Sequence, residues 1–157
     1  MDSYLWLKLI HILAAVVVTG TGAGIAFFMF MANISNNLQA IKVTARHVIL
    51  ADWLFTTPAV ITQITTGLYL MYLLGYSFQS EWFYWVISLI VFIGACWLPV
   101  LRIQYLLFDL ASKAEETNGD LSAFKKLMKY WTVLGVFAFI AILLIFWLMV
   151  FKPFSVV

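Results

Sequence analysis

Long apolar runs, rather than alternating or heptad patterns, organise this chain of 157 residues. Four stretches stay predominantly apolar for longer than the roughly 20 residues that an α-helix needs to cross a hydrocarbon layer about 30 Å thick. Their continuity also excludes the strands of a membrane β-barrel, in which apolar and polar residues alternate over about 10 residues. The pattern predicts an all-α integral membrane four-helix bundle, with helices near residues 4–31, 47–74, 82–108 and 131–151.

The polar segments between the runs predict how the helices are joined. Helical composition continues beyond the third run to a stop signal at Asn118 and Gly119, and Asp120 is suited to cap the next helix. A second polar turn at residues 33–37 precedes a helical lead into the second run. Both connections are therefore expected to be tight helical hairpin turns within a single transmembrane domain, residues 1–157.

Composition agrees with this prediction and excludes other classes of protein. Hydrophobic residues make up 65% of the chain and charged residues 10%, whereas a soluble domain carries about 25% charged residues. The single cysteine, Cys96, excludes a disulfide scaffold. A formal net charge of +2 gives no support to nucleic acid as a partner. The apolar composition instead predicts that the chain is surrounded by a lipid bilayer.

The distribution of basic residues predicts an orientation. Lysine and arginine occur in the connections after the first and third runs, and residues 76–81 between the second and third runs contain neither. Since basic loops stay on the cytoplasmic side, both hairpin turns are expected to be cytoplasmic and both termini outside. Asp2 precedes the first run without a basic segment, so the run is expected to be retained as a helix of a multi-pass membrane protein.

Two charged residues lie at matching depths inside the second and third spans. A charge at the bilayer centre costs about 2.5–3.5 kcal/mol on insertion scales, so each needs a partner. Asp52 and Arg102 each lie several residues inside the cytoplasmic edge, which predicts a structural ion pair between neighbouring helices. Proton relay through Asp52 is the functional alternative.

His11 is the most informative residue of the first span. A neutral imidazole in a helical bundle is a common haem or metal ligand, and His11 lies one turn after Lys8. The structural alternative is a histidine hydrogen-bonded to Gln63, Thr66 or a backbone carbonyl. The second axial ligand stays open between Lys8, a methionine of similar depth and His11 of a second copy.

Polar and small residues form one stripe on the second span, spaced by three or four positions. This stripe is expected to face the bundle around a kink at Pro58, either for interhelical hydrogen bonding or as the wall of a cofactor pocket. In the first span, the spacing of Gly20 and Gly24 favours close helix packing, with a homodimer as the alternative. The members of the stripe are Asp52, Thr56, Ala59, Gln63, Thr66 and Gly67.

Several segments resemble an uncharacterised family of bacterial integral membrane proteins that is defined only as a domain of unknown function. The segments are LWLKLIHIL, ADWLFTTPAVITQITTGLYLM, ACWLPVLRIQ and IFWLMVFKPF. The chain is more distantly similar to HemJ-type protoporphyrinogen oxidases, which share a Lys and a His in the first helix, a TP…TG pattern in the second and a terminal KPF. Similarity to CopD-like copper-resistance domains is looser, and the scarcity of histidine argues against copper.

The resemblance to the oxidases implies haem b held by His11 as axial and metal ligand. Other positions that match the oxidases are Lys8, Thr57, Pro58, Thr66, Gly67, Lys152 and Pro153. Together with Gln63 of the polar stripe, Lys8, Thr66 and Gly67 are the predicted cofactor-binding residues beside His11. The chain departs from the oxidases because its third helix lacks their lysine and its fourth lacks their RxxNE segment. The cofactor is therefore expected to persist even where the activity does not.

Two hypotheses of function follow from these features. The first is an inner-membrane protein that binds haem b or a related porphyrin, or a quinone-like small molecule, for electron transfer or porphyrin oxidation. If the protein is an enzyme, it is then a membrane oxidoreductase of the protoporphyrinogen oxidase type. The second is a non-catalytic membrane protein without a cofactor, a transporter subunit or assembly partner, in which His11 and Asp52 hold the helices together.

Overall fold

The computed structural model describes residues 2–117 and 122–154, and within these ranges the chain is helical without strands. Four helices are long and apolar enough to cross a membrane, which confirms the predicted number of spans. The second span is continuous but changes its helix type in the middle. The elements are α1 (Asp2–Ser35), α2 (Leu38–Ala51), a π-helical turn (Asp52–Thr56), α3 (Thr57–Leu74), α4 (Glu81–Thr117) and α5 (Ser122–Phe151).

Local signals explain the ends of the helices. Asn36 has a φ of 51°, and the side chain of Asn37 caps α2 by accepting from the amide of Ala40. At the far end of the second span Gly75 has a φ of 67°, a conformation that ends a helix at little cost for glycine. The predicted stop at residues 118–120 lies outside the described residues.

The π-helical turn follows from Pro58. Proline has no N–H, and its ring collides with the carbonyl four residues earlier in a regular α-helix. Widening the helix by one residue relieves this collision, and the amide of Thr57 donates instead to the carbonyl of Asp52, five residues earlier. Asp52 and Thr56 are both buried within the turn, so the turn directs polar side chains into the bundle.

The spans are arranged in chain order around the bundle. Helix α1 packs against α2, the π-helical turn and α3, while α4 packs against α2 and α5. Contacts between α1 and α5 close the ring. We call the end of the bundle at Asn36 the loop end, and the opposite end at Gly75 the termini end. Which end faces the cytoplasm stays a prediction.

The best-buried apolar side chains form a cluster towards the loop end, which we call the loop-end core. It joins α1, α2, α4 and α5, and it includes the turns of α2 and α4 that extend beyond the predicted membrane spans. Leu107 is 0% exposed and Phe124 1%. The buried members are Met29, Ala32, Ile41, Ala45, Val48, Val100, Leu107, Ala111, Phe124, Met128 and Trp131.

A smaller cluster closes the termini end. Trp82 at the start of α4 is buried with Met71, Val86 and Leu148, and its indole N–H donates to the carbonyl of Leu148 at 2.8 Å. This hydrogen bond fixes α4 to α5 at the opposite end from the loop-end core. The remaining faces of the helices expose large apolar side chains, as helices in contact with lipid do.

Candidate functional site

Small residues bring α1 and α3 together near the termini end. Ala14 of α1 and Ala59 of α3 are both buried, and Gly67 leaves space for a side chain of α1. That side chain is the imidazole of His11. A β-carbon built on Gly67 would lie 3.1 Å from its Cε1 atom, so the ring rests directly on the backbone of α3.

Both ring nitrogens of His11 are hydrogen-bonded to α3. The Thr66 hydroxyl donates to the carbonyl of Thr62 at 2.6 Å, so its oxygen is free to accept from the Nδ1–H of His11 at 2.8 Å. The Nε2 atom then accepts from the amide of Gln63 at 3.0 Å. His11, Thr66, Gln63 and Gly67 thus form one interhelical contact, which we call the His11 site.

Four of the five residues that the sequence proposed for cofactor binding therefore lie together, and Lys8 does not join them. Its side chain is exposed, and its ammonium lies 5.8 Å from the centre of the Tyr4 ring. The predicted polar stripe of the second span does face the bundle, since Asp52, Thr56, Ala59 and Thr66 are buried.

Asp52 has a different partner from the one the sequence suggested. Its Oδ2 atom accepts from the amide Nε2 of Gln104 at 2.6 Å, and both residues are buried. Arg102 is exposed and makes no ion pair with Asp52 in the described part of the chain. Since two residues along an α-helix differ by about 200° around its axis, Arg102 and Gln104 cannot both face the second span.

Replacing Gln104 with leucine is expected to lower the free energy of unfolding by about 1–3 kcal/mol, because it removes the amide that donates to the buried carboxyl group of Asp52. Arg102→Leu on the same helix turn is the matched control and is expected to change stability by less than about 0.5 kcal/mol. Unfolding in mixed micelles measures both. Equal losses would contradict the assignment of Gln104 as the partner.

Three buried oxygen atoms, two on the stripe and one on α4, have no hydrogen-bond partner within the described ranges. They belong to Thr56 (Oγ1), Gln63 (Oε1) and Gln104 (Oε1). Thr56 and Gln104 are neighbours of Asp52, and the oxygen of Gln63 lies on the amide that binds His11. Buried acceptors without donors are costly, so each indicates an unmet requirement for a proton or a donor group.

The His11 site does not fit an axial haem ligand in this conformation. An iron ligand needs an available nitrogen, whereas both nitrogens of His11 are engaged. Two surface grooves of about 320 and 270 Å³ lie along α1, and His11 lines neither. The described residues also contain no group of three His, Cys, Asp or Glu side chains that could hold a metal ion.

Comparisons with known proteins identify the chain only at the level of a family. Residues 5–153 match the model of a family described as predicted integral membrane protein (DUF2269). No curated protein and no solved structure matches the chain. The similarity therefore supports membrane insertion and supplies no reaction.

Proposed function

The chain belongs to the DUF2269 family of predicted integral membrane proteins, and from that premise we propose that it is a non-catalytic protein of the bacterial inner membrane, a transporter subunit or assembly partner. The hydrogen bonds of His11 support this proposal, because the ring uses both nitrogens to join α1 to α3. Within a membrane such contacts hold helices together where the hydrophobic effect does not.

Haem b bound through His11, for electron transfer or porphyrin oxidation, is the second candidate. The observation that favours it is the hydrogen bond from Nδ1–H to Thr66, because histidines that ligate metals are usually oriented through their other nitrogen. Nε2 would then be the ligating atom, and the Gln63 amide would have to rotate away from it. Bound haem would supply one-electron chemistry, His11 would hold it, and Thr66 would orient the ring of His11.

An absorption spectrum of the purified protein separates the two candidates. After expression with sufficient haem, the first proposal predicts a colourless protein whose His11→Ala variant is less stable and spectrally unchanged. A Soret band that His11→Ala removes would contradict the first proposal and support the second. Reduced and oxidised spectra recorded on the same sample detect haem in either state.

A double-mutant cycle measures the structural part of the first proposal. We expect a coupling energy of about 0.6–1.7 kcal/mol between His11→Ala and Thr66→Val, the range for interhelical hydrogen bonds in membranes. Thr65 is the matched control because its hydroxyl is exposed and donates to the carbonyl of Ile61 within its own helix. Coupling of His11 to Thr65→Val that equals the coupling to Thr66→Val would contradict this role.

The composition of the native complex tests the role as an assembly partner. The complex is extracted from the membrane without detergent and its mass is measured by native mass spectrometry. The proposal predicts a defined ratio of this 17.9 kDa chain to a second membrane protein. A mass that corresponds to this chain alone, or to multiples of it, would overturn the assembly role and leave the spectral test unaffected.

A further inference from the structure

Asp52 is a buried acid without a positively charged partner. It is 4% exposed, and the side chains that approach its carboxyl group among the described residues, Gln104, Thr56 and Trp97, are all uncharged. An ionised carboxylate in such surroundings would have lost its hydration without gaining a counter-charge. Groups in this position usually become neutral instead, and a carboxyl group becomes neutral by holding a proton.

The helices around the π-helical turn contribute no ionisable group that contacts the carboxyl group. Helix α1 has no ionisable residue between His11 and Ser35, and the ionisable residues of α3 are the exposed Tyr69 and Tyr72. The thiol of Cys96 is buried on α4, eight residues before Gln104. The other ionisable residues on α2 and α4 within about two turns of Asp52 and Gln104 are all exposed. These are Arg46, His47, Arg102, Tyr105 and Asp109.

The amide of Gln104 has the complementary arrangement for a protonated carboxyl group. Its nitrogen donates to Oδ2 of Asp52, and its oxygen, on the same terminal carbon, is buried and has no partner. A protonated carboxyl group also carries one donor and one acceptor side by side. Its O–H can donate to the Gln104 oxygen while its second oxygen accepts from the amide, so one proton satisfies both groups.

We propose that Asp52 and Gln104 form a proton-binding site inside the bundle, with the proton shared between the carboxyl group and the amide oxygen. The hydroxyl of Thr56 lies next to the carboxyl group, so it can relay the proton by accepting it while releasing its own. The π-helical turn carries Asp52 and Thr56, and such turns are frequent at functional sites. This assigns the chain a ligand, the proton, which neither proposed function includes.

Infrared spectroscopy of the protein in nanodiscs tests this site directly. At neutral pH we expect a carbonyl stretch from a protonated carboxyl group that shifts in D2O and is lost in Asp52→Asn. Asp109→Asn is the matched control, because Asp109 is exposed on α4 and paired with Lys113. This control variant should keep the full intensity of the band. Identical spectra of the wild type and Asp52→Asn would overturn the proposal.

Isotope labelling makes the test independent of the folding of any variant. With ¹³C in the aspartate side chains, the band of the wild-type protein itself should move to lower frequency, since it would come from an aspartate. A band that fails to move would overturn the proposal. So would a band that disappears when sodium is added at constant pH, because the site would then hold a sodium ion rather than a proton.

Discussion

Gly67→Leu is expected to lower the free energy of unfolding by about 2–5 kcal/mol, measured by unfolding in mixed micelles. A β-carbon at this position lies 3.1 Å from Cε1 of His11, and the rest of the leucine side chain enlarges the overlap. The imidazole must leave α3, which costs its hydrogen bonds to Thr66 and Gln63 in addition to the strain of overpacking. A His11→Ala background should recover much of the loss, because the colliding ring is then absent.

Gly20→Leu is the control for this prediction. Gly20 lies in the middle of α1 and is exposed, and a β-carbon added to it would have no neighbouring atom within 4 Å. The close packing that the sequence predicted at Gly20 and Gly24 is therefore not made by the described residues. Leucine there is expected to be neutral or stabilising by up to about 1 kcal/mol, since glycine in a helix interior is unfavourable. Equal destabilisation by both substitutions would show that Gly67 acts through general helix properties rather than through His11.

The four spans were predictable because length and apolar composition are local properties of the sequence. The polar stripe of the second span was predictable for a related reason, since helical periodicity alone places Gln63, Thr66 and Gly67 on one face. The imidazole of His11 in the first span needs one hydrogen-bond acceptor and one donor, and this face of the second span offers both. The sequence left open which bonds each nitrogen makes, and this choice separates the two hypotheses of function.

The partner of Asp52 could not be read from the sequence for a geometric reason. The position of a residue along a span gives its depth, and at that depth both Arg102 and Gln104 are available. The rotation of α4 about its axis decides between them, and it is fixed by packing against α2 and α5. The π-helical turn was similarly hidden, because Pro58 indicates a disturbance of the helix without specifying how it is relieved.

Phe124→Ala is expected to lower the free energy of unfolding by about 3–5 kcal/mol, because it opens a cavity in the loop-end core. Phe124 is 1% exposed, and the core around it joins α1, α2, α4 and α5, so the helices cannot close the cavity without giving up other contacts.

Phe137→Ala on the same helix is the matched control. Phe137 is 53% exposed, so lipid or detergent chains can fill the space that its ring leaves, and less than about 1 kcal/mol should be lost. Unfolding of both variants in the same micelles decides the comparison: a loss at Phe124 no larger than the loss at Phe137 would mean that the loop-end core does not hold the four spans together.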